Sequence, residues 1–198
     1  MTDQKRPYKM KRRAEQEEET RLRITESAME LHGTVGPART SISAVAERAG
    51  VRRSTVYRHF PDEAALFSAC STHWMTLNPP PDLEAWAAIE GPEERLATAL
   101  EELYAYYERT EGMFDKLLRD AATVPIVDEL IGAFRAFLEV TVETLIKGRK
   151  SRGNARRRQR AAIGHALAFG TWQDLRRTQG LDGGRAAELM ERLVAAAG

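Results

Sequence analysis

The chain has little of what marks a secreted, membrane-bound or metal-dependent protein. A single cysteine, Cys70, excludes an internal disulfide and any multi-cysteine metal site. Its histidines, His32, His59, His73 and His165, fall in no H-x-x-x-H or HExxH spacing, so no dedicated metal site is expected. No apolar run approaches the roughly 20 residues that span a bilayer, which excludes a membrane helix. The stretch MTDQKRPYKMKRR is basic but no apolar core follows it; it does not read as a secretory signal, and a cytoplasmic location is expected. A Gly-rich phosphate loop, a nucleophile elbow, paired Glu-x-x-His motifs and a Cys–His constellation are all missing, so the residues argue against an enzyme and call for no cofactor.

What is present suits a water-soluble globular chain. Its 198 residues are 42% hydrophobic and 30% charged, enough for a core and a charged surface, in one compact unit or two small ones. The net charge of +1 says nothing by itself, but residues 1–60 hold thirteen Lys or Arg against eight Asp or Glu. Positive potential is therefore concentrated in the N-terminal third. Lys5, Arg6, Lys9, Lys11, Arg12 and Arg13 form a basic arm with Asp3 as its only acid. Such an arm is either a solvated, mobile tail or a strap along a nucleic-acid backbone.

Residues 41–60, SISAVAERAGVRRSTVYRHF, read as two short helices joined by a tight turn at Ala49-Gly50-Val51. Ser41 is a good N-cap, Ile42, Val45 and Ala46 make one helical face, and Gly50 stands where a helix end favours positive φ. In the second helix Val56 and Phe60 point inward, leaving Arg52, Arg53, Thr55, Tyr57, Arg58 and His59 outward. This is the pattern of a helix-turn-helix, whose second helix enters the major groove.

The motif AxxAGVxxxTVYxHFxxxxxLF, from Ala46 to Phe67, resembles the N-terminal signature of TetR-type (TetR/AcrR) transcriptional regulators. The likeness is sharp over about Arg23 to Phe67. It implies an all-α fold: a three-helix helix-turn-helix domain plus a C-terminal helical bundle for ligand binding and dimerisation. On that likeness the chain divides into a basic arm at 1–20, a DNA-binding domain at 21–70 and an effector-binding and dimerisation domain at 75–198. The implied protein is a homodimer on a palindromic double-stranded DNA operator, most simply a repressor, released by a small, largely apolar effector. Three positions depart from the common pattern. Arg52 replaces a capping residue, Ser54 stands where Gly is frequent, and Glu63 stands where a phosphate-pairing Lys is usual.

Arg53, Ser54, Thr55 and Arg58 are candidates for base edges, since Arg can donate twice to guanine and Thr can meet a thymine methyl. Tyr57, His59, Arg52, Thr40 and Ser41 are candidates for phosphates, a role the resemblance implies for the Tyr and His of YxHF.

Beyond the prolines of Asn78-Pro79-Pro80-Pro81-Asp82 the pattern is helical to the end, with no strand signal. Helices are expected from about Glu15 to His32 with Leu22, Ile24, Ala28 and Leu31 inside, from Pro92 through Tyr107, from Glu111 to Ala121, from Ile126 to Lys147, from Ala161 to Arg177, and after Asp182. The segment 148–160, with seven basic residues and no acid, reads as a mobile loop, the competing reading being a second basic surface for DNA or an acidic partner. Trp74, Tyr104, Tyr107, Phe114, Leu118, Phe134, Phe137, His165, Phe169 and Trp172 are candidate pocket residues, with plain core the competing reading. Ile163, Leu167, Gly170, Leu189 and Leu193 are candidates for a dimer face of paired helices. The rival readings are an all-helical protein-interaction module or an enzyme, neither binding DNA. Both leave the YRHF segment and the basic arm unexplained.

Overall fold

The computed structural model describes the backbone from Lys5 to Gly198 and the side chains from Met10 onward. The arm's Lys5, Arg6 and Lys9 side chains and Asp3 therefore lie outside the described residues. Among those described, every regular element is helical: α1 (Lys5–Thr34), a 3-10 turn (Pro37–Arg39), α2 (Ile42–Arg48), α3 (Arg53–His59), α4 (Glu63–Leu77), α5 (Leu83–Ala88), α6 (Pro92–Asp120), α7 (Pro125–Leu145), α8 (Gly153–Leu167), α9 (Phe169–Arg177) and α10 (Gly183–Ala196). No helix among them is long and apolar enough to cross a membrane. The chain forms two compact units, one running to Asn78 and including Asp115–Asp128, the other comprising Pro79–Phe114 and Glu129–Gly198.

In the first unit, Ile24 and Ala28 of α1, Ile42, Val45 and Ala46 of α2, Val56 of α3 and Leu66 and Cys70 of α4 converge with Ala49 and Phe60 on one buried core. Burying several such side chains, each contributing about 1.5–3 kcal/mol, is what fixes short helices that would not persist alone. Leu22, expected inside, is instead 43% exposed. Helix α1 also begins well before Glu15, so Lys11 and Arg13 sit on helical turns and pair with Glu15 and Glu17 at i, i+4. Those pairs are exposed and contribute little to stability.

The second unit corrects several expectations. Helix α6 is one continuous element rather than two, its Gly112 absorbed by the buried Tyr106, Tyr107, Thr110 and Phe114 around it. Asp82 accepts from the backbone N–H of Glu84 and Ala85 and starts the unforeseen α5. The segment 148–160 is no loop beyond Arg152, because α8 starts at Gly153. The Arg149 side chain is buried and donates to the carbonyls of Leu145 and Pro92. Arg95, equally buried, donates to the carbonyls of Ile89, Glu90, Thr144 and Lys147. Two basic residues thus serve as internal clamps for loose helix ends.

The expected helix from Ala161 to Arg177 breaks at Ala168, whose backbone is extended (φ −70°, ψ 132°). The break strands the carbonyls of Ala166 and Leu167, and the Tyr104 and Tyr107 hydroxyls donate to them at 2.8 and 2.7 Å. Buried backbone groups need such partners. Ile163 and Leu167 are fully buried within the single chain, so neither presents surface to a second copy; this corrects their assignment to a dimer face. Leu189 and Leu193 are 37% and 50% exposed on α10, and Gly170 is exposed on α9.

Candidate nucleic-acid interface

The turn between α2 and α3 forms because each local choice agrees. The Ala44 N–H donates to Ser41 Oγ at 3.2 Å, capping α2. At its other end Gly50 adopts φ +65°, with its N–H on Glu47 O and the Val51 N–H on Ala46 O, a Schellman closure. Val51 then redirects the chain into α3. Arg52 precedes that helix with no side-chain cap, in agreement with the missing capping oxygen.

Val56 and Phe60 anchor α3 in the core, which turns its other face to solvent. Arg52, Arg53, Ser54, Tyr57 and Arg58 are exposed there, while Thr55 and His59 are half-buried. Tyr57 is the unusual one, a large aromatic held 43% exposed. Three guanidiniums, a phenol and hydroxyls on one short face suit a polyanion, since Arg can grip phosphate or guanine in a bidentate fashion.

Two candidates are less available than the sequence suggests. The Thr40 hydroxyl donates to Gly36 O at 2.9 Å, so its proton is already committed. His59 Nε2 is buried without a partner, and burial together with Arg58 and Arg21 lowers the ring's pKa, leaving it neutral near pH 7. Ser41 stays exposed, and its hydroxyl can donate outward while accepting from Ala44.

Residues the sequence did not single out hold this face in place. Arg21 of α1 donates to His59 O at 2.7 Å and lies 4.3 Å over the Phe60 ring, a cation at the carbonyl end of α3. Arg48 is drawn to Glu30 and so removed from the available positive charge. The loop leading to Ser41 is gripped from the end of α6. The buried Asp120 carboxylate accepts from the Ala38 N–H at 3.0 Å, and Arg119 bridges Asp120 and the Val35 carbonyl. The Arg119 guanidinium holds the Asp120 carboxyl below its usual range. Behind the loop, buried His32 meets Cys70 Sγ at 3.3 Å through Nδ1 and the Phe67 ring at 5.4 Å. Desolvation lowers the His32 pKa to about 4, and burial pushes the Cys70 thiol up to about 12, so neither is charged at neutral pH. His32, Thr40, Ser41, Phe67, Val124 and Ile126 border a small open cleft of about 130 Å³.

The candidate pocket residues separate into two groups. Tyr107, Phe114, Phe134, Phe169 and Trp172 form a continuous stack and edge-to-face cluster in the second unit, with centroids between 4.9 and 6.3 Å for the closest pairs. Tyr104 and Phe137 extend it. Trp74 and Leu118 belong to the first unit, and His165 is exposed beside the Thr171 hydroxyl.

A core of α1 to α4 that presents the basic α3 after a glycine turn defines a helix-turn-helix protein of the all-α class. Residues 24–70 match the family described as bacterial regulatory proteins, tetR family. Over 60 residues it is 42% identical to the HTH-type transcriptional regulator AcrR of Shigella flexneri, a stretch that is 30% of this chain and 28% of that one. The chain's match thus spans under a third of that relative's length. NalD, the secondary repressor of the MexAB-OprM multidrug efflux pump in Pseudomonas aeruginosa, has a similar fold, with TM-score 0.61 and 23% identity over 92% of this chain and 97% of that one. FadR from Bacillus subtilis, in complex with stearoyl-CoA, is similar with TM-score 0.58 and 16% identity over 89% of this chain and 98% of that one.

Proposed function

We propose that the protein is a transcriptional regulator, of the repressor type, that binds a palindromic operator as a homodimer and is released by a small, largely apolar effector. The observation that carries this reading is the exposed face of Arg52, Arg53, Ser54, Tyr57 and Arg58, held on a core in which Val56 and Phe60 are buried. One such face reads only a few base pairs. Two copies about one DNA turn apart, roughly 34–36 Å, convert weak contacts into a specific one. Leu189 and Leu193 on α10 supply apolar surface for the pairing. The repressor sense follows NalD, a secondary repressor of an efflux pump, and a small-molecule effector follows the complex of FadR with stearoyl-CoA. The aromatic cluster of the second unit is the site we assign to the effector. An effector that prefers a conformation with mis-spaced α3 helices lowers operator affinity by reciprocity, by about 1–3 kcal/mol in typical cases.

A gel shift with the DNA upstream of the protein's own gene tests the reading. Arg53→Ala is expected to relax base preference, whereas Tyr57→Phe weakens binding to operator and random duplex alike. Affinity should fall steeply with salt. Equal losses on both duplexes for Arg53→Ala would refute its assignment to base edges, and no operator discrimination by the unaltered protein would end the regulator reading.

A further inference from the structure

The aromatic cluster contains one polar group that the fold leaves unmatched. Trp172 is 1% exposed, and its indole Nε1 has no hydrogen-bond partner. Native interiors rarely tolerate a buried donor in that state, and each such case calls for a physical reason. The neighbouring phenols show the contrast. Tyr104 and Tyr107 lie in the same cluster, and both hydroxyls are used on the carbonyls released at Ala168. The fold therefore supplies partners here wherever the helix break requires them, and does not supply one for Trp172.

The surroundings define what would complete it. Phe169 stands 5.4 Å and Tyr107 5.7 Å from the Trp172 ring, and Phe114 and Phe134 continue the aromatic wall. On α6 and α9, Arg176 pairs with Glu108 and Arg177 with Glu111. The pairing with Arg177 lowers the Glu111 pKa, which keeps that carboxylate ionised and engaged. These four charges are thus already matched within the fold.

Phe134 and Phe137, both on α7, are the half-buried members of the cluster and so mark its way out to solvent. A rotation of Phe134 would open one wall of the cluster toward solvent.

We propose that the Trp172 indole N–H is the recognition donor of the effector site, and that the effector is an uncharged aromatic molecule presenting one hydrogen-bond acceptor, admitted by displacement of Phe134. This rests on the effector-controlled reading above and deepens it by naming the ligand's chemical class.

The test uses two uncharged diaryl probes of nearly the same shape, benzophenone, which has a carbonyl acceptor, and diphenylmethane, which has none. Calorimetric titration of the full chain should show benzophenone binding about tenfold tighter, one hydrogen bond's worth of discrimination. In Trp172→Phe the preference for benzophenone over diphenylmethane should vanish, whatever the change in the affinity common to both. Irradiation of the benzophenone complex of the unaltered protein should label peptides carrying Phe134 or Trp172, a readout that does not depend on the variant folding. Equal affinities in the unaltered protein, a preference that survives in Trp172→Phe, a label confined to other peptides, or no binding of either probe would each overturn the proposal. Operator binding measured without any probe separates the two claims. A sound gel shift alongside failed probe binding removes this inference alone, while a failed gel shift removes the regulator reading whatever the probes do.

Discussion

Acidification should loosen the unit that carries the helix-turn-helix, and His32 sets the pH window. Its ring is 8% exposed, packed on Phe67 and Cys70, and its pKa falls from 6.5 to about 4 because burial penalises the imidazolium more than Asp120 favours it. The folded state therefore holds His32 neutral while the unfolded chain takes up a proton near pH 6.5. Stability from this source is complete above about pH 6.5, declines as pH falls toward 4, and is fully lost below that. At about 1.36 kcal/mol per pKa unit, the loss amounts to about 3 kcal/mol. That is a large share of the 5–15 kcal/mol typical of a domain.

The assay is urea unfolding followed by far-ultraviolet circular dichroism across this range, with His32→Gln as reference. Other titrating groups act on both proteins, so the difference in unfolding free energy isolates His32. It should favour the unaltered protein most near neutral pH and shrink by about 3 kcal/mol toward pH 4. A difference that stays flat, or one that grows on acidification, would refute the assignment of a neutral buried ring. Because His32 lies behind the loop that leads to Ser41, the same titration should weaken operator binding before the chain unfolds.

Two further substitutions test the frame of the site. Gly50→Ala places a side chain at φ +65°, where nothing within 4 Å obstructs it, so the cost is backbone strain alone, about 1–2 kcal/mol in thermal or urea unfolding. Asp120→Asn keeps the shape but removes the charge that accepts from Ala38 and pairs with Arg119; it should destabilise by about 1–3 kcal/mol and lower operator affinity with α3 unaltered. The stability that Asp120 contributes is present above its unfolded pKa of 3.8 and disappears as pH drops through its lower folded value, so the Asn variant should match the unaltered protein only in strong acid.

The parts of this chain that could be read from sequence are those whose causes are local. Ser41 caps α2, Gly50 closes it, and Val56 and Phe60 alternate inward at helical spacing, all within a twenty-residue window. What escaped depends on partners far along the chain. Nothing near Ala168 announces a helix break, because the hydroxyls that make it tolerable belong to Tyr104 and Tyr107. A run of arginines reads as a solvated surface until the carbonyls of Pro92 and Leu145 are found around Arg149. The grip of Arg119 and Asp120 on Val35 and Ala38 joins groups more than eighty residues apart and has no periodic signature. On the interface itself, residue type was legible, but Thr40 and His59 show that availability was not, since a donor's commitments are fixed by the fold.

Glu63 offers the sharpest test of how this interface manages its charge. It opens α4 in an exposed position, yet the capping of that helix is done by Asp62, whose carboxylate accepts from the Ala65 N–H at 2.7 Å. Glu63 therefore contributes to α4 only through the helix dipole, about 0.3–1 kcal/mol. Against a polyanion the same charge repels. Glu63→Lys should cost the fold no more than that dipole contribution while adding a phosphate contact beside Ser41, with which Glu63 shares a cleft. The expected signature is tighter binding to operator and random duplex alike, with the slope of log affinity against log salt steeper by about 0.9. If the slope is unchanged, the N-terminus of α4 does not approach the phosphate backbone, and the contacts lie on α3 and the segment before α2 alone.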